Sequence, residues 1–141
     1  MLRDLKEFDF KIEKEDWNVY ELDDNTNLKI RPILLKIFDK PSEKVRGTAG
    51  HNVMVVTSPP NLKGTPPEKP YSSEELDKMK HIEVSFRPVK EPWNTYKFNN
   101  RIFKVKLIVI KITRAEGAYD RLGNPIYSVK SDNIYSEEES K

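Results

Sequence analysis

The residues best suited to chemistry occur in pairs. Trp17-Asn18-x-Tyr20 is matched 76 positions later by Trp93-Asn94-x-Tyr96, and the two motifs hold both tryptophans of the chain. Aromatic side chains on an exposed sheet can stack nucleobases or sugars. In a core they fill volume while their polar tips hydrogen-bond. Both motifs sit at the same point of a repeated segment, so we read Trp17, Tyr20, Trp93 and Tyr96 as core, with the asparagine holding the backbone at a strand entry.

A second set is basic. Lys29, Arg31, Lys104 and Lys106 alternate with apolar residues, and Arg101 and Arg114 stand near them in the second copy. Such a stripe could grip phosphates. Alternating lysines also keep an exposed sheet edge from pairing with other chains. The acidic neighbours Asp23, Asp24 and Asp39 favour this second reading in the first copy.

Catalytic patterns are sparse. His51 and His81 have no cysteine partners and no metal-ligand spacing. With five glycines in the chain there is no glycine-rich phosphate loop, and no serine sits in a nucleophile elbow. Glu13, Glu15 and Glu91 could exchange protons by type, but nothing in the sequence singles them out. The expectation is a non-catalytic protein with no metal and no cofactor.

The elements that must position these residues are repeated. Lys14-Glu15-Asp16-Trp17-Asn18-Val19-Tyr20-Glu21-Leu22 meets Lys90-Glu91-Pro92-Trp93-Asn94-Thr95-Tyr96-Lys97-Phe98 with five identities in nine. After a one-residue gap, residues 28–37 meet 103–112 with four identities in ten. About one or two identities would arise by chance over these positions. The segmentation is a β repeat over residues 1–60, a proline-rich linker over 61–81, a second β repeat over 82–135 and an acidic tail over 136–141.

Each copy reads as β. A short strand (8–12, 82–86) precedes the aromatic motif, and Asp23-Asp24-Asn25 and Asn99-Asn100 carry hairpin-turn chemistry. A long strand follows (28–38, 103–113), then a last one (52–57, 126–130). Along the long strand the apolar phase reverses. Leu28 and Ile30, or Phe103 and Val105, share one face. Ile33, Leu35 and Ile37, or Ile108, Ile110 and Ile112, share the other. The same reversal in both copies predicts a strand that leaves one apolar layer and enters another through a bend or bulge. Its second face is expected to pack on the sister copy. In the linker, Ser72-Ser73-Glu74-Glu75 predicts a capping box and a short helix ending near Lys80. The prolines before it predict an extended spacer. The tail is expected to fray.

Composition bounds the rest. The 141 residues carry 25 basic and 23 acidic side chains, a net charge of +2 that supplies no global field for nucleic acid or an anionic membrane. There is no cysteine, hence no disulfide. The charged N-terminus lacks the apolar core of a signal peptide, and no apolar run is long enough to span a bilayer. Glutamine is absent while Lys, Ile and Asn abound, as an AT-rich microbial or archaeal genome would encode. The expectation is an all-β, cytoplasmic protein. Its two tandem antiparallel units, half-barrels or small barrels, are related by a pseudo-twofold and joined by one short linker helix. It is expected to serve as an interaction or assembly module, such as an accessory subunit of a larger complex, whose partner is another protein or a second copy. The alternative is a small barrel that binds RNA or single-stranded DNA.

Overall fold

The computed structural model describes residues 6–40 and 46–140. The first five residues of the expected first unit and the last residue of the acidic tail lie outside them. Among the described residues ten strands form two five-stranded antiparallel sheets. The first half of the chain supplies β1 (Glu7–Phe8), β2 (Lys11–Lys14), β3 (Asn18–Leu22), β4 (Asn27–Asp39) and β5 (Arg46–Thr57). The second supplies β6 (His81–Glu83), β7 (Phe86–Lys90), β8 (Trp93–Phe98), β9 (Arg101–Tyr119) and β10 (Pro125–Glu139).

β4 is the spine of the first sheet. β5 runs along one of its edges, from Asn27↔Thr57 to Asp39↔Arg46. β3 and β1 share the other edge, at Asn18↔Ile30 and Phe8↔Ile37. β9 is the spine of the second sheet, with β10 on one edge and β8 and β6 on the other. The outer strands are exchanged between sheets. β2 pairs with β8 of the second sheet, and β7 pairs with β3 of the first. Neither sheet closes, which corrects the expected half-barrel or small barrel. β5 and β10 each pair with one neighbour only. The strand that could return to close its own unit is hydrogen-bonded in the other sheet, so the sheets stay open.

The tight turns follow from side chains that tolerate positive φ. Asn99 (φ 45°) and Asn100 (φ 59°) form a two-residue turn between the paired Phe98 and Arg101, and Asn25 (φ 68°) serves the β3–β4 turn. The apolar phase of the spines reverses at a β-bulge. Pairing steps from Leu34↔Gly50 to Lys36↔Ala49 on β4, and from Val109↔Ser131 to Lys111↔Lys130 on β9. The inserted residues, Leu35 and Ile110, are exposed, and Ile37 and Ile112 beyond them are fully buried. Alternation alone places Leu35 and Ile110 indoors. The single extra residue flips the side-chain period at that point and puts them outside, while Ile33 and Ile108 are half-buried.

The bulges send each spine through two cores. In the first core Tyr20, Leu22, Leu28 and Ile30 of β3 and β4 pack with Leu107, Val109 and Ile112 of β9. In the second, Tyr96, Phe98, Phe103 and Val105 of β8 and β9 pack with Ile37 and Leu34 of β4. Each core is therefore built from both halves, each fully buried aliphatic side chain stabilising it by about 1.5–3 kcal/mol. Neither half could bury its spine by itself.

The segment between β5 and β6 is more than a spacer. A 3-10 turn (Pro60–Leu62) leads to Lys63, whose Nζ donates to Asn124 Oδ1 at 2.7 Å, and Gly64 N–H donates to Gly123 O at 3.0 Å. Gly123 sits at φ 85° with the Gly64 carbonyl oxygen 2.8 Å from where a Cβ would stand, so the close approach favours glycine there. The helix α1 (Ser73–Asp77) carries the reciprocal Ser72–Glu75 capping box and ends three residues before Lys80. The acidic tail does not fray at once. β10 continues to Glu139, and Ser140 N–H donates to Asn100 O at 2.8 Å.

Candidate interaction surfaces

The asparagine, tyrosine and glutamate of the repeated motifs form two internal nodes. Tyr20 Oη donates to Glu91 Oε2 at 2.7 Å and accepts from Asn18 Nδ2 at 2.9 Å. Asn18 Nδ2 also donates to Leu107 O at 2.8 Å, and Val109 N–H donates to Glu91 at 3.3 Å. In the second node Tyr96 Oη donates to Glu15 Oε2 at 2.8 Å, Leu34 N–H donates to Glu15 at 3.2 Å, and Asp16 N–H donates to Asn94 Oδ1 at 2.9 Å. Burial pushes both phenols well above their ordinary value, and the adjoining carboxylates push the same way. Glu15 and Glu91 are thus each engaged by a phenol from the opposite half of the chain and a backbone N–H from their own, which is a structural use of a carboxylate.

Tyr20 and Tyr96 are buried, but the tryptophans are not core. Trp93 is 38% exposed and Trp17 is half-buried. Trp93 lies on the outer face of its sheet and Trp17 just ahead of β3, each under a cation. Arg31 stands 5.9 Å from the Trp17 ring centroid and Lys106 stands 5.8 Å from that of Trp93. On strands the side chains alternate, so inward-pointing Tyr20 and Tyr96 require residues an odd number of positions away to face outward. Trp93, directly opposite Lys106 on β9, obeys that rule.

The basic residues do not form one stripe. Lys29 and Arg31 belong to the first sheet, and Arg101, Lys104 and Lys106 to the second. Most meet carboxylates: Arg31 with Glu15 (3.9 Å), Lys104 with Glu138 (3.3 Å), Arg101 with Glu137 and Glu139, and Arg114 with Asp24 (2.8 Å). Asp24 also accepts from Tyr127 Oη at 2.6 Å. Burial raises the Asp24 carboxyl, but hydrogen bonds from Tyr127, Thr26 and Arg114 outweigh it and hold the carboxyl below its usual range. The lysines of β4 and β9 do not guard an edge either. Both strands are paired on two sides, so alternation of charge there marks a wet face.

The long open edges are β5 and β10, with the short β7 and β2 ending the same sheets on the other side, and the long two differ in chemistry. From Gly47 to Thr57, β5 carries His51 and no Asp, Glu, Lys or Arg, and Val53, Met54 and Val55 are each about two-fifths exposed. β10 carries Lys130, Asp132 and Glu137–Glu139. On the outer face, Val55 stands opposite Lys29 and Val53 opposite Arg31.

Several recesses indent the surface, among them a groove and a cleft beside the elements described. A groove of about 470 Å³ lies between the linker (Pro67, Pro70, Tyr71, Leu76) and Tyr119 and Ile126. A polar cleft of about 230 Å³ opens between the inner sides of β5 and β10. Among the described residues no cluster of three or more His, Cys, Asp or Glu could hold a metal ion. His81 hydrogen-bonds Leu76 O at 2.9 Å, and His51 is exposed on β5. No described helix is long and apolar enough to cross a membrane. No protein-family model matches the chain, and no curated protein or solved structure is significantly similar to it.

Proposed function

We propose that the chain is an internally duplicated, non-catalytic assembly module whose halves are related by a pseudo-twofold axis, and that it binds a second copy of itself along β5. The duplication is supported by reciprocal contacts across the halves. Tyr20 meets Glu91 as Tyr96 meets Glu15, and the bulges fall at Leu35 and Ile110. The observation that carries the binding reading is the β5 edge, a long, apolar and uncharged strand with one side unpaired. Such an edge accepts another strand through main-chain hydrogen bonds. Two antiparallel β5 strands bring no like charges together, whereas the three glutamates of β10 would repel their own copies. Pairing of β5 with β5 would join two five-stranded sheets into one and extend the apolar row of Val53 and Val55. Sedimentation velocity over a dilution series tests this. The chain should dimerise, and Val53→Lys combined with Val55→Lys should leave a folded monomer. A chain that is monomeric at every concentration, or a dimer indifferent to both lysines, would overturn the reading.

A second reading, single-stranded nucleic-acid binding, is favoured by Trp93, which is 38% exposed with Lys106 at 5.8 Å. It ranks below assembly because carboxylates already engage Arg101, Lys104 and Arg114. Salt-sensitive binding of a single-stranded oligonucleotide, lost on neutralising Lys104 and Lys106, would reverse the order.

A further inference from the structure

The proline-rich segment between β5 and β6 is pinned at both ends. Gly64 N–H donates to Gly123 O at 3.0 Å, and the Tyr119 ring lies where a Gly64 side chain would begin. After α1 the chain is anchored again. His81 Nε2 hydrogen-bonds Leu76 O at 2.9 Å, and Glu116 N–H donates to Lys80 O at 2.8 Å. Pro66, Pro67 and Pro70 stiffen what lies between. Facing it is the β9–β10 turn, where Asp120 Oδ1 accepts from Leu122 N–H and Asn124 N–H, both at 2.9 Å. The groove of about 470 Å³ between linker and turn therefore has two walls held from outside it. Its volume falls within the roughly 300–1,000 Å³ of small-molecule sites.

The lining is of two kinds. Tyr71, Tyr119, Leu76 and Ile126, with two prolines, give an apolar interior. Glu68, Asp120 and Arg121 add charge of both signs. Elsewhere on the molecule such groups pair with one another, but among the described residues Glu68 and Arg121 have no hydrogen-bond or ion-pair partner. Asp120 uses Oδ1 to hold its turn, and Oδ2 takes no bond among the described residues. Asp120 and Arg121 are successive residues lining one groove, so an anion and a cation stand together beside a tyrosine-walled hollow.

We propose that this groove binds a free α-amino acid with a large apolar side chain. The ammonium meets Glu68 and Asp120 Oδ2, the carboxylate meets Arg121, and the side chain lies against Tyr71 and Tyr119. The mixture of charges selects this class. Arg121 would repel a simple cation, and Glu68 and Asp120 would repel a simple carboxylate. A peptide carries its ammonium and carboxylate at opposite ends, too far apart for neighbouring residues. Two tyrosine rings favour a bulky or aromatic side chain through apolar contact and ring packing. Because linker and turn are pinned beforehand, binding requires little ordering. The groove shares no residue with β5, so its test is independent of self-association.

The test is an NMR titration of the full chain that follows the Leu76 and Ile126 methyls. The probes are L-phenylalanine, phenethylamine, which lacks the carboxylate, and 3-phenylpropanoate, which lacks the ammonium. L-Phenylalanine should saturate and bind about fivefold more tightly than either analogue, the upper value of one exposed ion pair. Arg121→Ala should weaken L-phenylalanine about fivefold without weakening phenethylamine. Glu68→Gln should weaken L-phenylalanine without weakening 3-phenylpropanoate. Both positions are exposed, so both variants should keep the melting temperature of the unaltered chain. The analogue series on the unaltered chain decides the point if either does not. No saturable shift with L-phenylalanine up to about 20 mM, or equal affinity for all three probes, would overturn the proposal.

Discussion

The two cores contain the same Asn–Tyr–Glu arrangement and close over it in opposite ways. The first takes Val56 and Val129 onto it and borders a recess of about 260 Å³ at Val84, Phe86 and Ile112, which Asn18 does not line. The second has Glu137 and Thr48 at those registers and opens into a polar cleft at Asn94. The matched tyrosines and glutamates stay inside in both cores, and the residues that β5 and β10 lay over them differ.

The sharpest way to break this comparison is to cut the same side chain from both cores. Ile37 and Ile112 sit just past matching bulges and are both fully buried. Truncation of either to alanine should cost about 2–5 kcal/mol in urea unfolding. Ile112→Ala should cost less, because Ile112 lines a recess of about 260 Å³ with Val84 and Phe86, into which its neighbours can relax. Equal losses would mean that the recess has no bearing on packing.

A smaller effect separates the two asparagines. Asp16→Pro removes the N–H that serves Asn94 and should cost about 1–3 kcal/mol. Asp16→Ala keeps that N–H and should cost much less. The reverse change, Pro92→Ala, offers Asn18 Oδ1 a donor worth about 1 kcal/mol, offset by about 0.4–1 kcal/mol from a freer unfolded chain. A near-zero net change in chemical denaturation is expected. A large loss in Pro92→Ala would show that Pro92 has another role.

Titration should distinguish the cores more gently. Tyr20 and Tyr127 belong to the first and Tyr96 to the second. Burial pushes all three phenols up, Tyr127 to about 12 with Asp24 adding to the rise. A raised folded-state value contributes stability that is complete below the unfolded value near 10 and is lost as pH rises toward 12 and beyond. Alkaline unfolding followed by tyrosinate absorbance should therefore begin above about pH 10. At the acid end Asp24 and Glu137 are held low. Burial opposes this in both, but Tyr127, Thr26 and Arg114 outweigh it at Asp24, and Arg46 and Arg101 at Glu137. Their contribution is present above about pH 4 and is lost as pH falls through the depressed values. Asp24→Asn and Glu137→Gln should each flatten the acid limb, and an unchanged limb in both would sink this account.

Much of this was legible before any coordinates. The hairpins at Asn25 and Asn99-Asn100, the Ser72–Glu75 capping box and a phase reversal in each long strand are local signals, set by backbone sterics and side-chain period. The site was less legible. Alternation marks Trp93 and Tyr96 as lying on opposite faces, but hydrophobicity suggested that both are inside. Trp93 lies outside because its face looks away from the other sheet, and only the packing of sheets defines that direction. The cleft gave no local signal, since it depends on which residues of β5 and β10 face each other across the cores.

What the sequence by itself determined is where the chain turns and where its long strands change phase, while the expected single strands 8–12 and 82–86 are each two strands and the strand expected from 52 begins at Arg46. Those features depend on residues a few positions apart, within reach of steric and hydrogen-bonding preferences of the chain itself. Only the tertiary structure decided that β2 and β7 change sheets, that β4 and β9 are spines rather than edges, and that Glu15 and Glu91 serve tyrosines of the opposite half. Contacts across 71 to 81 residues are chosen by which arrangement buries both spines at once, and that is a property of the packed whole rather than of any segment.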